Sequence, residues 1–441
     1  MVAILLAGSA LIWTALQRSG VHASDWYISS CLIGFGLIFV AASGPEHQLR
    51  PFSRRLRVLT IATGVYIVFQ LLPLPANVLR IIAPARASLL DVSARVIAAA
   101  KFAPIAVDEP AAILWTATLF GSAALFFIVR CFTGTFRDRP WLALLPLFSI
   151  AVIEAALGVL QLANGGPYII GTYNSRDHYA FLLEITVPLF AAAGLVSIRQ
   201  GRVEREFTFG RAAITCISWC LAVLLVAVIF SSLSRTGSFG ALVGLAAFVS
   251  LALGPSLRSR RMRAGFIAIL SITIGFALFA FTPRALLQRL FETAGAEPDV
   301  RLSFWRESLP LLARFPIFGI GLMGYESSFL RYQSVILLKR VDFAHNDYLQ
   351  YLIELGVIGF ALAALALGGV MWPAVKGAWA SRDGEARIWL TGCTGSLVAV
   401  AVHSFVDFNL YVPANVLAFA WIAAFGSAIA SEPPARSPVR A

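Results

Sequence analysis

Apolar runs of roughly 20 residues, the length needed to cross a hydrocarbon layer about 30 Å thick, recur along this whole chain. Backbone polar groups in lipid must pair within their own structure, and runs of this length do so as helices rather than as the shorter strands of a barrel. Twelve runs stand out: 1–17, 27–43, 57–74, 111–130, 141–163, 179–197, 213–231, 236–254, 264–282, 349–372, 388–406 and 411–430. The expected fold is therefore all-α, a polytopic integral membrane protein with about 12 transmembrane helices. Composition agrees, since 59% of the 441 residues are hydrophobic and 13% are charged. A single soluble core could not bury so much apolar surface. No cationic stretch precedes the first run, so it reads as a retained helix rather than a cleaved signal.

Charge sets the orientation. Six short segments, 46–57, 130–139, 199–211, 255–263, 373–387 and 431–441, hold 20 of the 35 Lys and Arg residues. With twelve spans all six fall on one side, which the positive-inside rule assigns to the cytoplasm together with both termini. Much of the net charge of +12 is then topological and calls for no nucleic-acid partner. The opposite, periplasmic side carries two long loops, 75–110 and 283–348. The second holds eight basic residues that topology does not require, offset by seven acids as in a solvated surface. Within it RLSFWRESLPLLARFP sets Leu302, Trp305, Leu309 and Leu312 on one helical stripe, as in an amphipathic helix on the membrane surface ending near Pro316. The five cysteines lie in or beside the spans, and no disulfide framework or metal site is expected of them.

This topology gathers polar residues on the periplasmic face. GTYNSRDHYAF brings Asn174, Arg176, Asp177 and His178, and SSLSRTGS brings Ser234 and Arg235. The long loop adds Arg301 and Arg306 around Trp305, the start of the tenth run adds His345 and Asn346, and HSFVDFN adds His403 and Asp407. Each has an ordinary role open to it. Arg235 can snorkel to headgroups, His345 can anchor at the interface, and His403 can pair with Asp407 one turn on. Convergence of five polar turns on one face favours a site, because charges at apolar walls are costly. Arginines match phosphate oxygens, and histidine moves a proton near neutral pH. No carboxylate cluster has Mg²⁺-ligand spacing, so neither a metal nor a cofactor is expected. Below His345, Gly356 and Gly359 fall within about 20° and 40° of its helical direction, where small residues admit a neighbouring helix.

These residues resemble the O-antigen ligase and polymerase superfamily of membrane glycan transferases. The pattern His, Asn, nine residues, Gly, two residues, Gly is met by His345, Asn346, Gly356 and Gly359. SSLSRTGS resembles the family's Ser-Arg turn, and GTYNSRDHYA its Gly-Thr loop. Arg301, Trp305, Pro316, Gly319 and Gly321 resemble its Arg-Trp-Pro-Gly-Gly segment. The resemblance is strongest over 165–372. It implies a fold like the lipid-linked, GT-C-like glycosyltransferases with a helical periplasmic loop, in a bacterial inner membrane with the active site facing the periplasm. It implies Arg235 and Arg301 on a diphosphate, and His345 as base or diphosphate ligand. Asn346, Asn174, His178, Arg176, Trp305, His403 and Asp407 are further substrate-binding candidates. The partners implied are an undecaprenyl-diphosphate-linked glycan donor, a lipid A-core or other hydroxyl acceptor, and membrane lipids.

The expected division is 1–140 as N-terminal membrane helices, 141–372 as a ligase-like core containing loop 283–348, and 373–441 as C-terminal helices and cytoplasmic tail. The expected activity is inverting, metal-independent transfer of a saccharide to the acceptor. A polymerase or a protein O-oligosaccharyltransferase shares the motifs. A non-enzymatic lipid or polysaccharide transporter also suits twelve spans, and the intramembrane acids Glu154 and Glu184 speak for it.

Overall fold

The computed structural model describes residues 1–43, 51–95, 100–136, 138–166, 168–206, 208–254, 259, 300–334 and 340–431. Among the described residues sixteen α-helices form almost all of the regular structure, and the strands are the two-residue antiparallel pair Leu74–Pro75 and Phe102–Ala103. The first half holds α1 (Val2–Leu16), α2 (Ala23–Ala42), α3 (Arg54–Phe69), α4 (Ala76–Ile82), α5 (Pro84–Ser93), α6 (Glu109–Thr135), α7 (Leu145–Ala163), α8 (Arg176–Glu184) and α9 (Val187–Glu204). The second holds α10 (Phe209–Ser231), α11 (Arg235–Leu253), α12 (Val300–Arg314), α13 (Tyr325–Phe329), α14 (Asp347–Ala380), α15 (Gly384–His403) and α16 (Pro413–Ala430).

Among the described residues eight helical segments are long and apolar enough to cross a membrane, so the chain is a multi-pass helical membrane protein. They lie where eight of the twelve runs were expected. Run 1–17 forms the shorter apolar helix α1. Runs 57–74 and 388–406 fall on α3 and α15, which are helical but less apolar. The reason in α15 is that Thr391, Thr394, Ser396 and His403 are buried within the bundle. Run 264–282 lies outside the described residues. The apolar window of α16 is 89% buried and that of α8–α9 83%, against 22% for α2. The bundle is thus built around α16 and α8–α9, with α2 on its lipid-facing side.

Two breaks in membrane helices shape one end of the bundle. α8 and α9 part at Ile185–Thr186 ahead of Pro188, and the hydroxyl of Ser396 donates to the freed Ile185 carbonyl (2.6 Å). α14 breaks at Gly356, whose φ of 65° and ψ of 178° suit glycine alone. The rotation carried from His345 down to Gly356 therefore does not hold, because the helix is interrupted there. Broken helices survive at membrane depth when other groups take over the freed backbone bonds. Here the segment after α12 does so. Ile320 N–H donates to Ile353 O, Gly321 N–H to Glu354 O and Val357 N–H to Pro316 O, at 2.8–3.2 Å. Tyr66 and Gln70 of the α3 region reach the same carbonyls: the phenol donates to Leu355 O (2.6 Å) and the amide to Glu354 O (3.0 Å). A Cβ at Gly356 would stand 2.3 Å from the Ile317 oxygen, and one at Gly359 2.2 Å from the Tyr66 ring. Gly359 does admit a neighbouring helix, while Gly356 serves the break.

The helix expected after residue 300 is present as α12, but its buried stripe is Phe304, Ser308, Leu311 and Phe315. Leu302 and Leu309, expected to lead the apolar face, are exposed. The aromatic residues Phe304 and Phe315 outbid the leucines for the interior, packing with Tyr325 and Phe329 of α13.

Candidate functional site

The site lies where α8, α11, α12, α14 and the α15–α16 turn meet. Most contributing residues sit at a helix terminus or just before one. Ser175 caps α8, and its hydroxyl accepts from Asp177 N–H (3.2 Å). Ser234 caps α11, accepting from Gly237 N–H (3.0 Å), and Arg235 is the first residue of that helix. Asn346 caps α14, accepting from Leu349 N–H (3.0 Å). His345 precedes that cap with φ of 50°, a left-handed conformation uncommon outside glycine. Asn346 is thus spent on the helix terminus.

Asp177 ties three of these termini together. One carboxylate oxygen accepts from Ser234 Oγ (2.5 Å), and the other lies 3.7 Å from an Arg301 guanidinium nitrogen. His178 is buried, its ring edge-on to Phe408 at 4.6 Å. His345 meets the same Phe408 ring edge-on (4.9 Å) and stacks near Phe304 (6.3 Å). Both imidazoles thus pack against one phenylalanine ring.

The second cluster is a chain of acids and histidines. His345 Nδ1 lies 3.1 Å from Asp407 Oδ1. Asp407 Oδ2 lies 3.9 Å from His403 Nε2, and His403 Nδ1 lies 2.9 Å from Glu184 Oε1. His403 thus bonds to Glu184 rather than to Asp407 one turn away. The His345 side chain is 32% exposed, whereas those of Asp407, His403 and Glu184 are buried. Burial raises the proton affinity of Asp407. The hydrogen bond from His345 and the charges of His178, His345 and His403 outweigh it, holding the carboxyl well below its ordinary range. An ionised carboxylate only accepts, so the proton of the neutral imidazole sits on Nδ1 and Nε2 is left as a base.

Trp305 has a positioning role: its indole N–H donates to Ala344 O (2.9 Å), the carbonyl immediately before His345. Arg176 faces the Tyr168 ring at 5.8 Å, and Asn174 is exposed. Neither is brought into the cluster by these contacts. The two acids that favoured a transporter are held by partners. Glu154 accepts from Thr172 N–H (2.9 Å) and Thr172 Oγ1 (2.5 Å), and Glu184 from His403.

The sequence reading missed the buried residues beneath the site. Glu354 accepts from Gln350 Nε2 (2.7 Å), Met323 N–H (2.8 Å) and Tyr411 OH (2.6 Å). Gln350 accepts from Ala344 N–H (2.7 Å), and Asp347 accepts from Leu410 N–H (3.2 Å). These bonds lock the segments on either side of His345 and Asp407. A carboxylate inside the apolar run 349–372 was the available signal.

Taken together, these features define a polytopic membrane protein with a cluster of acids, histidines and an arginine at one end of its bundle. Residues 220–364 match the family model described as O-Antigen ligase, and this segment is similar to the O-antigen ligase-like superfamily, whose members are glycan-processing enzymes. The matched segment contains Ser234, Arg235, Arg301, Trp305, His345 and the break at Gly356. No curated protein matches the chain.

Proposed function

We propose that the protein transfers a saccharide from undecaprenyl diphosphate to a hydroxyl of lipid A-core or a similar acceptor, at the periplasmic face of the inner membrane. The observation that carries this is the His345–Asp407 pair, 3.1 Å apart, set beside Arg301 and the Arg235 helix terminus. His345 Nε2 takes the proton of the acceptor hydroxyl as its oxygen attacks the anomeric carbon. The bond from that carbon to the diphosphate oxygen breaks, and the leaving group departs with the electron pair. Arg301, Arg235 and the N–H groups opening α11 stabilise the charge that develops there. Attack opposite the leaving group inverts the anomeric configuration. Asp407 keeps the imidazole in the correct tautomer and steadies it once protonated. The arginines supply the positive charge, so transfer proceeds without added metal.

The test is a reconstituted transfer assay with purified protein, a polyprenyl-diphosphate glycan and EDTA. Three acceptors are compared: lipid A-core, a second donor molecule and a Ser-containing protein. Transfer to lipid A-core, lost in His345→Ala and Arg235→Ala, is the expected result. Transfer to the second donor alone would make the chain a polymerase, and transfer to the protein an oligosaccharyltransferase. No transfer by folded wild type to any acceptor would favour a transporter. The motifs and the matched family are shared between ligases and polymerases, which keeps polymerisation as the second reading.

A further inference from the structure

The excess of arginine in the long outer loop finds a use away from the histidine cluster. The two outer loops close on a cavity of about 420 Å³, lined by Arg86 of α5, Arg314 of α12 and Arg331 beyond α13. No carboxylate lines it, and none of the three arginines forms an ion pair among the described residues. Glu109 bears on Arg86 from outside the lining. Two of the guanidiniums are fixed in place. Arg86 donates to Pro104 O (3.0 Å) and Ala106 O (3.4 Å), and Arg314 donates to Ser88 Oγ (3.0 Å), joining the two loops. Arg331 is exposed at the mouth.

The rest of the lining suits a sugar. Ser327, Ser328 and Tyr332 present hydroxyls, and the buried Ser328 Oγ has no hydrogen-bond partner among the described residues. Leu311 and Phe315 supply an apolar wall. Three positive charges with no carboxylate in the lining, beside the unpaired Ser328 hydroxyl, match a phosphate ester on a saccharide. Arg301 and Arg314 lie thirteen residues apart on α12, about 20 Å along the helix axis. The cavity is thus too far from the diphosphate of the donor to share it, and near enough to hold a remote part of the acceptor.

Resting on the transfer reading above, we propose that this cavity is an acceptor subsite: it takes a phosphate group carried by the acceptor glycolipid and so fixes which acceptor hydroxyl reaches His345. The phosphate can come from a phosphorylated lipid A-core or from a second polyprenyl-diphosphate glycan, and the experiment separates the two.

Binding to the full-length protein in detergent is measured with lipid A-core before and after phosphatase treatment, with undecaprenyl-diphosphate glycan, and with phosphatidylglycerol. The variants are Arg331→Gln, Arg314→Gln and Arg80→Gln, the last in an exposed ion pair outside the cavity. The expected result is tighter binding of one phosphorylated glycolipid, weakened at least tenfold by removing its phosphate. Arg331→Gln reproduces that loss and Arg80→Gln does not. Which glycolipid responds names the source. Arg331 is exposed, so its substitution does not threaten folding and keeps the test decisive if Arg314→Gln fails to fold. Equal binding of both lipid A-core forms and of the polyprenyl glycan, equal binding of phosphatidylglycerol, or indifference to Arg331→Gln would overturn the proposal. Binding is read apart from transfer, so an inactive wild type counts against the transfer reading alone.

Discussion

Two buried glutamates in this bundle differ in how they are satisfied. Glu354 accepts three hydrogen bonds, from Gln350, Met323 and Tyr411, and sits where α14 breaks. Among the described residues Glu184 has His403 as its hydrogen-bond partner, and its second oxygen has none, lying against the open face of Gly240. A polar group inside a membrane bundle is costly unless its capacity is used. Glu354 uses its capacity and stabilises architecture. Glu184 leaves part unused at the inner end of the chain through His403 and Asp407 to His345, as expected if the proposed transfer sustains that cost. The comparison sets a structural knot on α14 apart from a chain that runs from Glu184 of α8 through His403 and Asp407 to His345, just ahead of α14.

The largest effect that sharpens this contrast is on chemistry. His345→Ala is expected to lower transfer about 10²–10⁴-fold, the range for a lost general base, with the thermal midpoint nearly unchanged. The converse variant is Glu354→Ala. It strands the Met323 N–H, the Tyr411 hydroxyl and the Gln350 amide, at about 1–3 kcal/mol each. The expected outcome is poor recovery of folded protein by size-exclusion chromatography and a sharply lower midpoint.

Gly356→Ala tests the knot from the backbone side. The alanine must hold a glycine conformation and displace the Ile317 carbonyl, at about 1–3 kcal/mol. A lower midpoint in a denaturation series, with rate per folded molecule retained, would match. Glu184→Gln is nearly isosteric, so folding should persist while the pH profile of transfer shifts. An unchanged profile would break the comparison by making Glu184 structural too.

The smallest effect concerns acid stability. The Asp407 carboxyl is held below its ordinary range, so its contribution is present above the unfolded value of about 3.9 and is lost as pH falls through the lower folded value. The midpoint difference between wild type and Asp407→Asn should therefore be constant from neutral pH to about 5 and shrink only at more acid pH. A difference that already disappears near neutrality would contradict the pairing.

How far the sequence foretold this depends on the residue. Membrane helices follow from hydrophobic runs, so eight expected spans recur as helices long and apolar enough to cross. His345, Asp407, His403 and Arg301 could be named because polar residues at apolar boundaries are conspicuous. Their partners could not. Which acid meets which histidine is set by tertiary packing, and Glu184 reaches His403 across 219 residues of chain. The break at Gly356 was hidden for the same reason. A glycine in an apolar run reads equally as a small packing residue or as a backbone switch, and only the arrival of Ile317 and Gly319 decides. In α12 the period was right and the buried face was wrong, because aromatic packing on α13 overrode the leucine stripe.

One experiment bears most directly on the division between knot and reactive chain. In a single proteoliposome preparation, transfer rate and thermal midpoint are measured together for wild type, His345→Ala and Glu354→Gln. The account predicts that His345→Ala loses transfer at an unchanged midpoint, while Glu354→Gln loses midpoint and keeps its rate per folded molecule. The contradicting result is the reverse: a stable Glu354→Gln without transfer, or an unstable His345→Ala with transfer per folded molecule intact.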